Sequence, residues 1–143
     1  MCSLPYLPVK IWISKKMVVA FSMGFDLSYC LKLKKEEYSF ELLDVRNFGK
    51  DTKKDIIRLK GRVIGSEGKC KKNLEMKTET HISVSGKRIG IIGEIEKVEL
   101  CKNTLEMILN GAKHSTAFKA LEKALLIRKK AEFMSENEEN IYK

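Results

Sequence analysis

The chain is poor in the residues that build metal centres and disulfide frameworks. It has four cysteines, Cys2, Cys30, Cys70 and Cys101, with no Cys-x-x-Cys pair among them, and only two histidines, His81 and His114. Structural zinc draws its ligands from closely spaced Cys and His pairs, so no metal is expected, nor any other cofactor. Two of the cysteines fall in stretches read below as helices, where a free thiol packs as a small apolar group, as suits a reducing compartment. Neither histidine has a nucleophile or an acid at a recognisable spacing, so both read as ordinary boundary residues and no enzyme active site is expected. Long apolar runs are missing too. The run Met17 to Met23 falls far short of the about 20 residues that span a bilayer. A secretory signal puts its positive charge first and a small-residue cleavage site after its core, whereas here Lys10, Lys15 and Lys16 follow Pro5 and Pro8. The run reads as the tail of a helix.

What the chain does have is one core's worth of apolar residues and an excess of positive charge. At 143 residues and 43% apolar composition it can bury a single ordinary core. Lys and Arg total 28 against 19 for Asp and Glu, a net charge of +9 that attracts polyanions. Charge alone does not choose between nucleic acid and an anionic membrane.

Residues 1–13, with Trp12, show no sustained period, and no function is expected there. Ser14 to Phe21 reads as a short helix ended by Gly24, and Asp26 as the N-cap of a second one carrying Leu27, Cys30 and Leu31. Phe40 to Val45 reads as the first strand. Thr52-Lys53-Lys54-Asp55 is a capping-box pattern opening a helix that carries Ile56, Ile57 and Leu59 and is expected to break at Gly61. From Lys69 another helix runs to about Thr78, with Leu74 and Met76 inward. Ile82 and Val84 alternate with Ser83 and Ser85, and after the Gly86-Lys87 turn Arg88 to Ile92 returns as the second arm of a hairpin. Ile95, Val98, Cys101, Leu105 and Ile108 recur every three or four residues, the stripe of an amphipathic helix stopped at Asn110-Gly111. A last helix from about Thr116 carries Ala117, Leu121, Ala124 and Leu125, and a polar, frayed tail follows Met134.

Two Gly-x-x-Gly pairs occur, and their settings separate them. Gly90-Ile91-Ile92-Gly93 lies within a strand and is expected to be structural, allowing a close approach or a turn. Gly65-Ser66-Glu67-Gly68 joins two helical segments. Lacking Cβ atoms, such a bend takes positive φ and lets a phosphate approach, while the free N–H groups opening the next helix point toward that charge. KH domains clamp about four nucleotides of single-stranded nucleic acid in this way. From Lys50 to Lys72 nine basic residues (Lys50, Lys53, Lys54, Arg58, Lys60, Arg62, Lys69, Lys71, Lys72) face three acidic ones (Asp51, Asp55, Glu67), a local balance of +6. Any one of these lysines is better explained as a solvated helix face, but the cluster surrounds the one loop able to use it. Glu67 cuts the other way, and its side chain is expected to point into solvent. Lys87 and Arg88 on the hairpin are candidates for the opposite wall of the groove, or simply a charged turn.

The run Lys60-Gly61-Arg62-Val63-Ile64-Gly65-Ser66-Glu67-Gly68-Lys69, then Ile82 to Lys87, Ile91-Ile92-Gly93 and Leu105 to Ala112, resembles the second KH domain of the archaeal Pno/Dim-type proteins, over about Phe21 to Lys130. The resemblance implies an α+β type I KH domain from about Phe40 to Gly111, a three-stranded sheet packed against three helices, with extra helices at both ends. It implies a non-catalytic adaptor that holds the 3′ region of the small-subunit ribosomal RNA precursor beside the endonuclease maturing that end and other pre-ribosomal proteins, with no membrane contact. The expected RNA-binding residues are Arg62, Ile64, Gly65, Ser66, Glu67, Gly68, Lys69, Lys71, Lys72, Lys87 and Arg88. The expected location is the cytoplasm, or the nucleolus in a eukaryote. Such proteins carry a complete first KH domain upstream, whereas here only something like its last helix precedes Gly24-Phe25. Residues 1–39 are therefore read as a helical remnant of a truncated first domain, 40–133 as the KH domain with its C-terminal helix, and 134–143 as the tail. Two alternatives stay open: a KH protein with another RNA target, and a protein-interaction scaffold whose groove no longer takes RNA.

Overall fold

In the computed structural model, which describes residues 6–142, the elements follow as α1 (Tyr6–Ser22), α2 (Leu27–Lys32), β1 (Tyr38–Asp44), α3 (Lys53–Ile64), α4 (Lys69–Thr78), β2 (His81–Ser85), β3 (Arg88–Glu94), α5 (Ile95–Leu109) and α6 (His114–Ile141). From β1 to α5 the order is strand, helix, helix, strand, strand, helix, as expected for a type I KH domain. The sheet is antiparallel with β3 in the middle, in the order β1-β3-β2. Leu43 faces Ile89, and Ile82 faces Ile91.

Side chains alternate across a strand, so each face of this sheet has its own core. On one face Leu43, Ile82, Ile89 and Ile91 pack with Leu59, Val63, Leu74, Val98 and Leu105 of the helices. On the other, Phe40 and Ile92 pack with Ala20, Met23, Phe25 and Leu33 of the N-terminal segment. A strand covered on both sides reads as a continuous apolar run, which is the pattern of Ile89 to Ile92. Each such buried aliphatic or aromatic side chain contributes about 1.5–3 kcal/mol, so α1 and α2 are integral to the sheet. Their seam is specific as well as apolar. The Ser83 hydroxyl donates to the Met23 carbonyl at 2.6 Å, and Tyr29 stacks on His81 with ring centroids 3.7 Å apart. Burial pushes the His81 imidazole down from its ordinary pKa.

Several sequence expectations are corrected. α1 starts at Tyr6, eight residues before Ser14, and takes in Pro8 and Trp12. Pro8 is tolerated because it sits in the first turn, where its missing N–H has no intrahelical acceptor. Gly61 does not break α3: the about 1 kcal/mol cost of a helical glycine is outweighed by burial of Leu59 and Val63 on either side. Asp55 reaches beyond the N-cap residue Thr52 to accept from the Lys50 amide at 2.7 Å. That bond holds its pKa below the ordinary carboxylate value. Met76 is 72% exposed, and Leu27, Leu31 and Ile95 also face solvent. α6 begins at His114 and stays helical through Ile141, past the expected frayed end at Met134. Cys30, Cys70 and Cys101 are buried and unpaired. Burial pushes the Cys101 thiol up to about 11. Cys2 and Pro5 lie outside the described residues.

The two glycines of the strand motif are packing residues. A Cβ on Gly90 would stand 2.9 Å from a Phe25 ring carbon and 3.1 Å from Met23 Sδ; on Gly93 it would stand 2.7 Å from Thr80 Cγ2. At Gly61 it would meet nothing within 4 Å. Gly90→Ala should therefore cost about 1–3 kcal/mol by overpacking, and Gly61→Ala should stabilise α3 by about 0.5–1 kcal/mol. Thermal melts of the two variants are expected to shift in opposite directions, and a neutral Gly90→Ala would contradict the packing of α1 and α2 on the sheet.

Candidate nucleic-acid interface

The bend between α3 and α4 is shaped by a contact of backbone on backbone. The Gly65 amide caps α3 by donating to the Gly61 carbonyl at 2.9 Å. The chain then turns down onto the first turn of α4, so closely that a Cβ on Gly65 would stand 2.6 Å from Cys70 Cβ and 2.9 Å from the Cys70 nitrogen. Gly65 (φ 75°), Glu67 (φ 56°) and Gly68 (φ 71°) all have positive φ. For glycine this is free; for Glu67 it is a local cost. Gly68 is the N-cap of α4 and has no side chain to satisfy the orphan amides of the first turn. The Gly68 amide is instead taken up by the Gly65 carbonyl at 3.3 Å and the Lys69 amide by the Ser66 carbonyl, so what the bend offers an anion is the positive end of α4 with no side-chain cap in the way.

Beneath the bend lies a small apolar cluster in which Cys70 packs against Ile108 and Ala117, with Met107 and Phe118 at its edge. Burial pushes the Cys70 thiol up. The Arg62 guanidinium donates to the Ala112 carbonyl at 2.6 Å, and His114 Nε2 donates to the Arg62 carbonyl at 2.8 Å. Arg62, expected as a phosphate contact, is thus half-buried and occupied in tying the end of α3 to the α5–α6 junction.

The other expected site residues fall into three groups. Ser66, Glu67, Lys69 and Lys72 are exposed around the bend, and Ile64 is half-buried beside it. Glu67 leans toward Lys69 at 4.0 Å, with both side chains largely in solvent. Such an exposed pair contributes little. Lys71 is drawn to Glu75 at 3.8 Å, and Glu75 accepts from the Ile82 amide at 2.8 Å, which ties α4 to β2. Lys87 pairs with Asp51 at 3.1 Å, just ahead of α3, with Arg88 exposed next to it. Lys87 and Arg88 therefore stand at the far end of α3, a 12-residue helix, from the glycine bend. The separation is about 18 Å at 1.5 Å per residue.

Between these ends the sequence reading missed a track. Ile57, one of the apolar residues that α3 carries, is 61% exposed, and Gly61 opens directly to solvent. Ile57, Gly61 and Ile64 recur at helical spacing and form an uncharged stripe running into the bend. The signal in the sequence was a glycine four residues after an isoleucine in a helix whose other apolar positions already filled the core face. Among the described residues, no three or more His, Cys, Asp or Glu side chains are grouped to hold a metal, and no helix is long and apolar enough to cross a membrane.

Residues 39–125 match the family model of the second KH domain of PNO1, described as a eukaryotic type KH-domain (KH-domain type I). A KH domain-containing protein of Methanocaldococcus jannaschii is 38% identical over 126 residues, covering 88% of this chain and 55% of that protein. The pre-rRNA-processing protein PNO1 of Chaetomium thermophilum is 30% identical over 109 residues, covering 73% of this chain and 41% of its own length. A chain in the crystal structure of an a/eIF2alpha-aDim2p-rRNA complex from Pyrococcus horikoshii superposes with a TM-score of 0.72 at 26% identity, covering 82% of this chain and 63% of that one. The chain thus spans about half the length of the curated relatives it matches.

The Arg62 brace makes a prediction separate from any ligand. Arg62→Ala removes a charge-assisted hydrogen bond worth about 1.5–3 kcal/mol. It should lower the melting temperature clearly, while Lys72→Ala, in solvent, should stay within about 0.5 kcal/mol of the parent. Equal melting of the two variants would remove the structural role given to Arg62.

Proposed function

The chain belongs to the PNO1-type KH-domain family, and from that premise we propose that it is an RNA-binding adaptor that grips single-stranded RNA at Gly65–Gly68 during maturation of the small-subunit ribosomal RNA. The observation that carries this reading is the bend itself: a start of α4 with no side-chain cap, shaped by Gly65 lying against Cys70. A phosphate settles at the positive N-terminal end of α4, Lys69 and Lys72 neutralise it, and the adjoining bases lie along Ile57, Gly61 and Ile64 toward β2. Backbone amides and lysines recognise phosphate without sequence preference, so base choice falls to the groove.

The ribosomal setting is supported by the relatives. One is named for pre-rRNA processing, and a structural neighbour was crystallised with rRNA. On this reading the partners are the small-subunit rRNA precursor, the endonuclease that matures its 3′ end, and neighbouring pre-ribosomal proteins, and the protein works where those particles assemble. It positions RNA for another protein's chemistry.

Ser66→Asp combined with Glu67→Asp places two short carboxylates over the amides, at positions whose side chains are already exposed. Binding to single-stranded RNA in a filter titration is expected to fall at least tenfold with the melting temperature unchanged. Parent affinity should decline with salt at a slope of about −0.7 per phosphate contacted. Equal binding of duplex and single strand, or a double variant that binds as the parent does, would refute the clamp and favour a protein scaffold. Clamp behaviour without co-sedimentation with small-subunit precursors would move the target to another RNA.

A further inference from the structure

On the side of the sheet covered by α1 and α2, an open cavity of about 300 Å³ lies between α1, the turn from α2 into β1 and the start of α5. Trp12, Leu33, Tyr38 and Ile95 give it an apolar wall, and Lys16, Lys34 and Lys35 also line it, with one carboxylate, Glu36. A second depression shares Ile13 and Lys34 with it and adds Lys10. Trp12 is 58% exposed, and the Lys16 ammonium stands 3.8 Å from its ring centroid. The buried core on that face is filled without this ring, so its large apolar area is spent on the cavity.

Rings and ammonium groups alternate from the cavity across the sheet. Lys32 Nζ lies 5.8 Å from the Tyr38 ring and 5.2 Å from the Tyr29 ring, and Tyr29 stacks on His81 of the edge strand β2. Packing on the core explains Tyr29 and Tyr38 singly; it does not explain Trp12 or the lysines between the rings. Charge in this segment is of one sign on balance. Lys10, Lys15, Lys16, Lys32, Lys34 and Lys35 face Asp26, Glu36 and Glu37, an excess of +3 over residues 10–38.

These features select the occupant. A bilayer meets a flat helix face, whereas here an indole and several lysines converge on a concavity made by three elements. A folded partner needs a broad patch, and about 300 Å³ is the small end of ligand cavities. A nucleotide has both a flat ring for Trp12 and Tyr38 and a phosphate for the lysines, the combination that single-strand binders use. We propose that this cavity is a second site for single-stranded RNA, taking one base against Trp12 while Lys16, Lys34 and Lys35 hold the flanking phosphates. Glu36 opposes the phosphates and is outnumbered. The choice of RNA among anions rests on the RNA-binding reading above. The cavity itself is on the other side of the sheet from α3, α4 and their glycine bend, and it works without the bend. A strand held at both places gains affinity by effective concentration.

Trp12 is the one tryptophan of the chain, so its fluorescence reports the cavity. In titrations of the full chain with an adenosine tetranucleotide the emission is expected to fall saturably. Inorganic polyphosphate, which has the charge and no rings, should leave it unchanged. The quench should survive in Ser66→Asp with Glu67→Asp, with a midpoint close to the parent's. Lys16→Glu with Lys34→Glu should raise the midpoint roughly tenfold at an unchanged melting temperature. Trp12→Ala should weaken filter binding of an adenosine dodecamer roughly tenfold, and Trp12→Phe, which keeps a ring, much less. No quench by the tetranucleotide, an equal quench by polyphosphate, a midpoint indifferent to the lysine changes, or a response to phosphatidylserine vesicles in place of RNA would each overturn the proposal and leave the clamp at the bend standing. A quench lost in the bend variant would overturn it as well, since the response would then belong to the bend. A quench that persists while the bend variant binds the dodecamer as the parent does would refute the clamp and support the cavity.

Discussion

Gly65 and Cys70 approach so closely that nothing larger than hydrogen fits between them, and the candidate interface follows from that contact. If the chain could not turn down onto α4 at once, the residues after it would need a longer loop, and side chains would fill the space over the start of α4. The contact in turn requires a firm floor. Cys70 rests on Ile108 and Ala117, while the Arg62 and His114 hydrogen bonds hold the end of α3 against the start of α6. α6 therefore acts on the bend from below.

The sheet performs the complementary task on the other side. Its helical face carries α3, α4 and α5, and the Glu75 bond to the Ile82 amide fixes α4 to the edge strand β2. Its back face is closed by α1 and α2, with Phe25 lying over Gly90. With both faces covered, the sheet itself offers a ligand no open face. The uncharged stripe of α3 instead runs along the helix surface into the bend. A chain that left the back of the sheet bare would present a competing apolar surface there.

Much of this was legible from the residues, for reasons that can be named. The α5 stripe from Val98 to Ile108 repeats at one spacing because a single face is buried, and the hairpin shows because Ile82 and Val84 alternate with serines. The strand and bend Gly-x-x-Gly motifs were separable by their neighbours alone. What stayed hidden depended on tertiary contacts. Nothing local says that Phe25 will lie over Gly90, so the N-terminal helices read as the remnant of another domain and not as a cover for this sheet. Nothing local says that Arg62 will find the Ala112 carbonyl, 50 residues away in sequence. Met76 shows the converse error, since an apolar residue in an amphipathic helix is inward only if the core has room left for it.

Glu67 is the strongest objection to an RNA clamp, and its weight can be judged by magnitude. Two unit charges about 4 Å apart interact by about 1 kcal/mol in bulk water, and the Glu67 side chain is mostly in solvent. An uncapped helix start favours an anion by about 0.3–1 kcal/mol at an exposed site. Taken alone, then, the glycine bend and its carboxylate roughly cancel. Binding is decided by the cations, and their formal number overstates the supply: Arg62 is engaged with a carbonyl, Arg58 with Asp55 and Lys71 with Glu75. Lys69 and Lys72 remain exposed at the bend, with Lys53 and Lys54 at the far end of α3. Lys69 is held by Glu67 only through a weak exposed pair, so an arriving phosphate can draw it away at little cost. The proposed clamp therefore requires the bend and those lysines together, and neither part is sufficient without the other.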